Sequence, residues 1–469
     1  MRQLWMFASL TFGLTAAAQE PSFGVKSDLI SAQKIFVPTA YKTGVAPFQM
    51  SFYAQPINQT KPILSLNAQR SQNPASVIKL ITSYAALNTL GADYQWRTQL
   101  LTTEQPDVQG TLHAPLYLKG SGDPQLVIEK IEQLVAGLVK SGVRNVQSPI
   151  IVDRSIFKDE RQDAASFDGE PSMPYNAQPD AALMNYRAIS FNFDPATRSV
   201  SAIPNLHEYP VITAVQWIDG ACPNTGWKST VRLNVSAQSA MVSGRYYSDC
   251  GSNQWHVHAY QMTANDYVQR VFGTLMKRRQ SVSEGVTPKN ALPVAEVYSN
   301  PLPLVLKDMN GFSNNVMARQ IYLSLSAKQN GIGSLTDSAA AVRDVLRQKG
   351  LLFQGLNMGN GSGLSRQTRV RAVDLGQLLV NAANDEPFVN SLPILGVSGT
   401  VKNRLLDSDM VGRGRIKTGT LDTVRAIAGY IDGKSGQRYA IVSIIEGPNA
   451  QTVAAKKLHD EFMIWVGNQ

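Results

Sequence analysis

Apolar positions along this chain follow three rhythms, each marking a different kind of element. A mainly apolar run of eleven residues, Leu4 to Leu14, follows the short positive start Met1-Arg-Gln3 and precedes Thr15-Ala-Ala-Ala18. It is too short to span a bilayer, and basic start, apolar core and small residues before Gln19 together read as a secretory signal over 1–18. Helical composition marks Ala75 to Leu90, with Ile78, Leu80, Ile81, Ala85, Ala86 and Leu87 apolar and Gly91 as a stop. Met317, Ile321, Leu323 and Leu325 mark a second helix, Ser338 to Lys349 a third, and Leu458 to Trp465 a closing helix packed on a sheet. Strict alternation in Val231-Arg-Leu-Asn-Val235 and Trp255-His-Val-His-Ala-Tyr260 predicts half-buried strands. Arg425 to Ile431 and Arg438 to Ile445 are apolar and β-branched, and the turn Asp432-Gly-Lys-Ser-Gly436 makes them adjacent antiparallel strands.

These rhythms divide the chain. Residues 19–94 carry first strands and the Ala75 helix, 95–291 are strand-rich, and 292–469 alternate helices with strands. The Pro-rich stretch 171–179 is an ordered loop or a subdomain joint. Loss of 1–18 leaves 451 residues, too many for one core and consistent with two or three domains. No other stretch reaches the ~18 uninterrupted apolar residues of a membrane span, so no transmembrane anchor is expected in the mature chain. The net charge is +9, or +8 without Arg2, with no basic run and no nucleic-acid motif, so no nucleic-acid partner is expected. The five histidines show no zinc spacing; His256 and His258 share one side of a strand without a third ligand, and neither metal nor cofactor is expected. Cys222 and Cys250 are the only cysteines, and in an oxidising compartment they are candidates for a disulfide.

The candidate chemistry is an ordered trio: Ser76-Val-Ile-Lys79, Ser313-Asn314-Asn315 and Lys417-Thr418-Gly419. Signatures of this form recur in β-lactamases and penicillin-binding proteins, where the Ser of S-x-x-K is acylated. Each is weak alone: Ser31-Ala-Gln-Lys34 and Ser155-Ile-Phe-Lys158 also read S-x-x-K, Lys42-Thr43-Gly44 is a second K-T-G, and Ser71-Gln72-Asn73 a second S-x-N. Context separates them. Asn73 and Pro74 are a cap-type residue and a first-turn proline, which puts Ser76 at the start of a buried helix with its N–H free to bind an oxyanion. Lys79, three residues on, shares its face and can take the hydroxyl proton if burial and a neighbouring cation lower its pKa. The other two S-x-x-K copies open no buried helix and read as surface segments.

Ser313 Oγ is placed to bond the Lys79 amine and pass a proton to a leaving amine, and the Asn315 amide to hold Lys79 and a substrate carbonyl; a plain Ser/Asn helix cap is the competing reading. On the third element Lys417 offers a charge and Thr418 and Thr420 offer hydroxyls for a terminal carboxylate. Gly419 allows close approach of a ligand backbone, and the Thr420 N–H is a second candidate oxyanion donor.

With these residues the chain resembles the D-alanyl-D-alanine carboxypeptidase/endopeptidases of the class C low-molecular-mass penicillin-binding proteins, peptidase family S13, of the penicillin-binding protein 4 type. The 237 residues from Ser76 to Ser313 match that family's large insertion. Leu116-Tyr-Leu-Lys-Gly-Ser-Gly-Asp-Pro124, Val152-Asp-Arg-Ser-Ile-Phe157, Gly361-Ser-Gly-Leu-Ser-Arg366 and Leu392-Pro-Ile-Leu-Gly-Val-Ser-Gly-Thr400 extend the similarity over most of the mature chain. The resemblance implies an α/β (α+β) fold: a discontinuous β-lactamase/transpeptidase-like catalytic domain (19–94 and 292–469) with a large β-rich insertion (95–291) of one or two subdomains. It implies Ser76 as nucleophile, Lys79 as base, Ser313 and Asn315 as relay pair and Lys417 as carboxylate anchor. Peptidoglycan stem peptides are the implied substrates, β-lactams the implied covalent inhibitors, and the periplasm the implied location, where an anionic wall suits the positive charge. Gly311 stands where a Lys is expected and Asn360 where an Asp is expected, both beside the cleft motifs. Asp153 resembles a residue that holds the amino end of a diaminopimelate side chain, and equally reads as a strand-end turn cap. A serine β-lactamase or esterase on the same core and a non-catalytic wall-binding protein are the alternative functions.

Overall fold

The computed structural model describes residues 44–469; the expected signal segment 1–18, Ser31, Lys34, Lys42 and Thr43 lie outside the described residues. Strands β1 (Met50–Pro56) and β2 (Leu64–Leu66) join three strands from the far end of the chain, β3 (Gly414–Leu421), β4 (Val424–Asp432) and β5 (Arg438–Glu446). They form one antiparallel sheet in the order β3-β4-β5-β1-β2, with the K-T-G strand at its edge. The β4–β5 turn falls where Asp432-Gly-Lys-Ser-Gly436 predicts it, closed by Gly433 N–H to Gln437 O at 2.8 Å.

The near-continuous apolar runs of β4 and β5 follow from cover on both faces. Ala426, Ala428, Val442 and Ile444 point to a core shared with helices α1 (Lys79–Leu90), α2 (Asn315–Asn330) and α3 (Ala372–Asn381). Ile427, Ile431, Ile441 and Ile445 point the other way, onto Leu458, Phe462 and Val466 of the closing helix α4 (Val453–Gly467). This is the period-two alternation of a strand, with each fully buried Ile or Leu contributing roughly 1.5–3 kcal/mol.

Between these parts lies a second five-stranded sheet, ordered Val282–Glu284, Ile150–Asp153, Leu116–Lys119, Arg97–Thr102, Leu292–Tyr298. Two three-stranded sheets follow, one around Ala188–Asp194 and one around Ala240–Tyr247. The expected strands at 231–235 and 255–260 are present as Val231–Val235 and Asn253–His258. The same stretch also holds two helices, Ile128–Lys140 and Ala264–Leu275, which the strand-rich reading passes over. Cys222 and Cys250 form a disulfide, with 4.7 Å between their Cα atoms. Among the described residues no helix is long and apolar enough to cross a membrane.

Candidate active site

Asn73 sets the nucleophile's turn: its Oδ1 accepts the Ala75 N–H at 2.9 Å. Ala75 then takes a left-handed φ of 47°, a conformation costing about 1–2 kcal/mol for an L-residue and found preferentially at functional sites. The expected first α-turn is a 3₁₀ turn, Ala75–Ile78, which passes into α1 at Lys79. Ser76 is its half-buried member, between fully buried Ala75, Val77 and Ile78.

Lys79 is completely buried. Its Nζ lies 2.9 Å from Ser76 Oγ, 2.6 Å from Asn315 Oδ1 and 2.5 Å from the Ser362 carbonyl oxygen. Burial holds its pKa well below the usual amine range, and the positive charges of Lys417 and Arg319 push it further down.

Asn314 takes the capping role at the start of α2, accepting the N–H groups of Val316 and Met317 at 3.0 Å each. That leaves the neighbours on either side free for the cleft: Asn315 holds Lys79, and Ser313, at φ 54°, turns its hydroxyl elsewhere. Its partner is a correction to expectation. Ser313 Oγ accepts from Lys417 Nζ at 2.8 Å, where the sequence reading joined it to Lys79.

Lys417 is corrected with it. Fully buried, it donates to Ser313 Oγ and to the Thr418 carbonyl at 2.7 Å, and burial lowers its pKa to about 7. An exposed point charge for a carboxylate is not what this geometry presents. Strand alternation explains it: Lys417 and Gly419 pair with Ala428 and Ala426, on the helix-covered face, and Thr418 and Thr420 point to the other. There Thr418 Oγ1 bonds Thr400 Oγ1 at 2.8 Å, beside a cavity of about 360 Å³ lined also by Thr420, Arg404, Arg425 and Lys456.

Gly419 has a structural reason of its own. A Cβ there would stand 2.5 Å from Pro74 O and 3.1 Å from Ser76 N, so the close approach is between β3 and the Ser76 turn. Gly363 presses on the same turn from another side, where a Cβ would meet Ala75 O at 2.1 Å.

Ser362, Arg319 and Thr400 are contributors that sequence reasoning missed, though the quoted Gly361-Ser-Gly363 run was the signal for the first. Asn360, expected to lie beside the cleft, supports the loop that holds Lys79. Its Oδ1 accepts from Ser362 N at 3.1 Å and Ser362 Oγ at 2.9 Å, and its Nδ2 donates to Leu364 O at 3.1 Å, which an Asp could not do. The structure brings Ser76, Lys79 and Asn315 into one hydrogen-bonded group and Ser313 and Lys417 into another. It does not bring Asp153 among them: its two carboxylate oxygens accept the N–H groups of Ser155 (3.0 Å) and Thr287 (2.8 Å), as a turn cap does.

The chain matches the D-Ala-D-Ala carboxypeptidase 3 (S13) family over residues 45–469. It belongs to that family. It is thus a hydrolase of the D-Ala-D-Ala carboxypeptidase kind. Relatives include the D-alanyl-D-alanine carboxypeptidase DacB of Haemophilus influenzae, 26% identical with 87% of each chain covered. Another is the D-alanyl-D-alanine carboxypeptidase of Actinomadura sp. R39, 28% identical over 78% of this chain and 71% of that one. The fold is shared with the crystal structure of penicillin-binding protein 4 from Haemophilus influenzae, at TM-score 0.76 and 22% identity, covering 92% of this chain and 99% of that chain. The expected α/β transpeptidase-like architecture is therefore the one found.

Proposed function

We propose that this enzyme works through an acyl-enzyme on Ser76, as a carboxypeptidase on peptides ending in D-Ala-D-Ala and as an endopeptidase on D-Ala-diaminopimelate crosslinks. The observation that carries the reading is the setting of Lys79. A neutral amine has two N–H groups and one lone pair; Asn315 Oδ1 and Ser362 O take the former, leaving the lone pair for the Ser76 hydroxyl at 2.9 Å. Burial and the two neighbouring cations lower the pKa of that amine, which favours its neutral, proton-accepting form.

Ser76 Oγ attacks the penultimate carbonyl as its proton passes to Lys79, and the N–H groups of Ser76 and Thr420 receive the oxyanion. Ser313, polarised by Lys417, delivers a proton to the departing D-alanine nitrogen as the C–N bond breaks and takes one in its place from Lys417. Proton exchange with solvent then recharges Lys417 and frees Lys79, which takes a proton from the attacking water and passes it to Ser76 Oγ as the ester C–O bond breaks. The terminal carboxylate is read by Thr418 and Thr420 beside the rim of Arg404, Arg425 and Lys456. β-Lactams, which mimic the D-Ala-D-Ala end, acylate Ser76 and leave slowly. Asp153 supports a turn rather than a diaminopimelate amine.

The catalytic unit joins the chain before 95 to the chain after 298: β1 pairs with β5, whereas Leu292–Tyr298 pairs with Arg97–Thr102 and carries the insertion, expected over 95–291, on to Tyr298. The signal-like start and the Cys222–Cys250 bond favour the periplasm. Intact-mass spectrometry of the mature protein with excess benzylpenicillin tests the reading. A stable adduct of one penicillin, absent in Ser76→Ala, is expected. Consumption of the drug without an adduct would make the enzyme a β-lactamase, and neither adduct nor consumption would leave a binding protein.

A further inference from the structure

One end of the insertion, carrying none of the cleft residues, gathers positive charge that the sequence shows only in pieces. Lys277-Arg-Arg279 is shorter than the blocks that count as a basic run. The fold brings two more cations to it. Arg144 N–H donates to Gly110 O at 2.7 Å, and Thr111 and Leu112 pair in parallel with Asn145 and Val146, which joins segments 104–113 and 139–146. The Arg278 guanidinium bonds Asn145 Oδ1, and Ile150 N–H donates to Ser281 O at 2.8 Å, which lays 277–280 alongside. Lys140, Arg144, Lys277, Arg278 and Arg279 are all exposed there. The same segments hold two carboxylates, Glu104 and Asp107, and Asp107 is occupied by its own turn, accepting the N–H groups of Gln109 (3.0 Å) and Thr111 (2.8 Å). Arg279 has an exposed partner in Glu208, 3.6 Å away; among the described residues the other four cations have no ion-pair partner. Lys140 closes the helix Ile128–Lys140 and Lys277 follows the end of Ala264–Leu275, so a helix dipole accounts for one cation at each place. It does not account for Arg144, Arg278 and Arg279.

The character of the patch indicates its partner. The cations are spread over separate segments on long side chains, and a single exposed ion pair contributes little. Such a surface grips a partner that repeats its negative charge, because many weak contacts made by one polymer act together. A bilayer fits less well: the exposed apolar side chains of these segments are Val108 and Val139, too few to seat in lipid. Intact peptidoglycan presents carboxylates on stem peptide after stem peptide. We propose that this end of the insertion is a docking surface for intact peptidoglycan, holding the polymer through its stem-peptide carboxylates while the cleft works on a peptide end. The proposal rests on the reading of peptidoglycan as the substrate and adds a site, apart from the cleft, that holds the polymer.

The test is co-sedimentation of the full mature protein with purified, insoluble peptidoglycan, read as an apparent Kd. Raising the ionic strength from about 0.05 to about 0.5 M should weaken wild-type binding roughly tenfold or more. Replacing Lys140, Arg144, Lys277 and Arg279 together by Gln leaves the Arg278–Asn145 bond in place. That variant should bind roughly tenfold or more weakly, while benzylpenicillin acylation and D-alanine release from a short soluble peptide keep wild-type rates. Peptidoglycan whose carboxyl groups have been converted to primary amides should bind the wild type poorly, which tests the surface even if the variant does not fold. Binding that salt, amidation and substitution leave unchanged overturns the proposal. So does a variant that loses phosphatidylglycerol vesicles while keeping peptidoglycan, which makes the surface a lipid site. The two layers fail separately: acylation of Ser76 without salt-sensitive binding removes the docking surface alone, whereas salt- and amidation-sensitive binding without acylation or cleavage removes the enzyme reading and leaves the surface.

Discussion

Replacing Lys417 by Met discriminates most sharply between what the motif suggests and what the geometry shows. A carboxylate anchor and a hidden cation behind Ser313 fail differently. The substitution removes one charged hydrogen bond, Lys417 Nζ to Ser313 Oγ at 2.8 Å, worth about 1.5–3 kcal/mol. At about 1.4 kcal/mol per decade, acylation should slow roughly 10- to 150-fold. It also removes the larger of the two charges that depress Lys79, whose pKa then rises. Because Lys79 acts deprotonated, the acid limb of the rate profile moves to higher pH. The alkaline limb behaves oppositely. In the wild type Lys417 loses its proton at about pH 7, so the second-order acylation rate should fall above that pH. Lys417→Met has no charge to lose and should show no such limb. The assay is the acylation rate with a fluorescent penicillin across the pH range, alongside an ester of the same β-lactam. If Lys417→Met slowed the free acid and left the ester untouched, with both pH limbs in place, the anchor role would stand and this reasoning would fall.

Two further outcomes test the surroundings. Gly419→Ala puts a Cβ 2.5 Å from Pro74 O, an overpacking costing about 1–3 kcal/mol, and should slow acylation at least about tenfold by shifting β3 against the Ser76 turn; an unchanged rate and melting temperature would contradict that packing. Replacing Cys222 and Cys250 together by Ser releases a link across 28 residues, about 3–4 kcal/mol in the chain-entropy account, so the melting temperature should drop while penicillin acylation persists at low temperature; loss of acylation there would tie the insertion to the chemistry.

Much of the catalytic sheet was legible because its signals are local. Asp432-Gly-Lys-Ser-Gly436 fixes a hairpin by turn chemistry, and Leu458 to Trp465 shows enough apolar character to reveal the closing helix. Ser76 and Lys79 were legible because residues three apart on one helical turn share a face, and motif order pointed to Asn315, which reaches Lys79 from another helix. The misses share a physical cause. Ile131, Leu134, Val135 and Leu138 carry a helical period, yet their helix is embedded among strands and was absorbed into them. The partner of Ser313 depends on which face of an edge strand Lys417 takes, and that follows from register with Ala428, 11 residues away across a hairpin. The contribution of Ser362 is a backbone carbonyl, invisible to any reading of side chains.

The two lysines and Arg319 also explain one another. Three buried cations gather around one nucleophile, and no carboxylate among the described residues pairs with any of them. Left alone, such an arrangement is unfavourable, since each charge meets both desolvation and its like-charged neighbours. Such a setting favours loss of a proton from one group, and Lys79, which feels Lys417 and Arg319 together, has its pKa held well below the usual amine range. The strain is thereby converted into a base. Lys417 keeps its contact with Ser313 and so acts on the proton that Ser313 handles. On this view the lowered pKa of the base and the polarisation of Ser313 have one origin, and weakening Lys417 should change both.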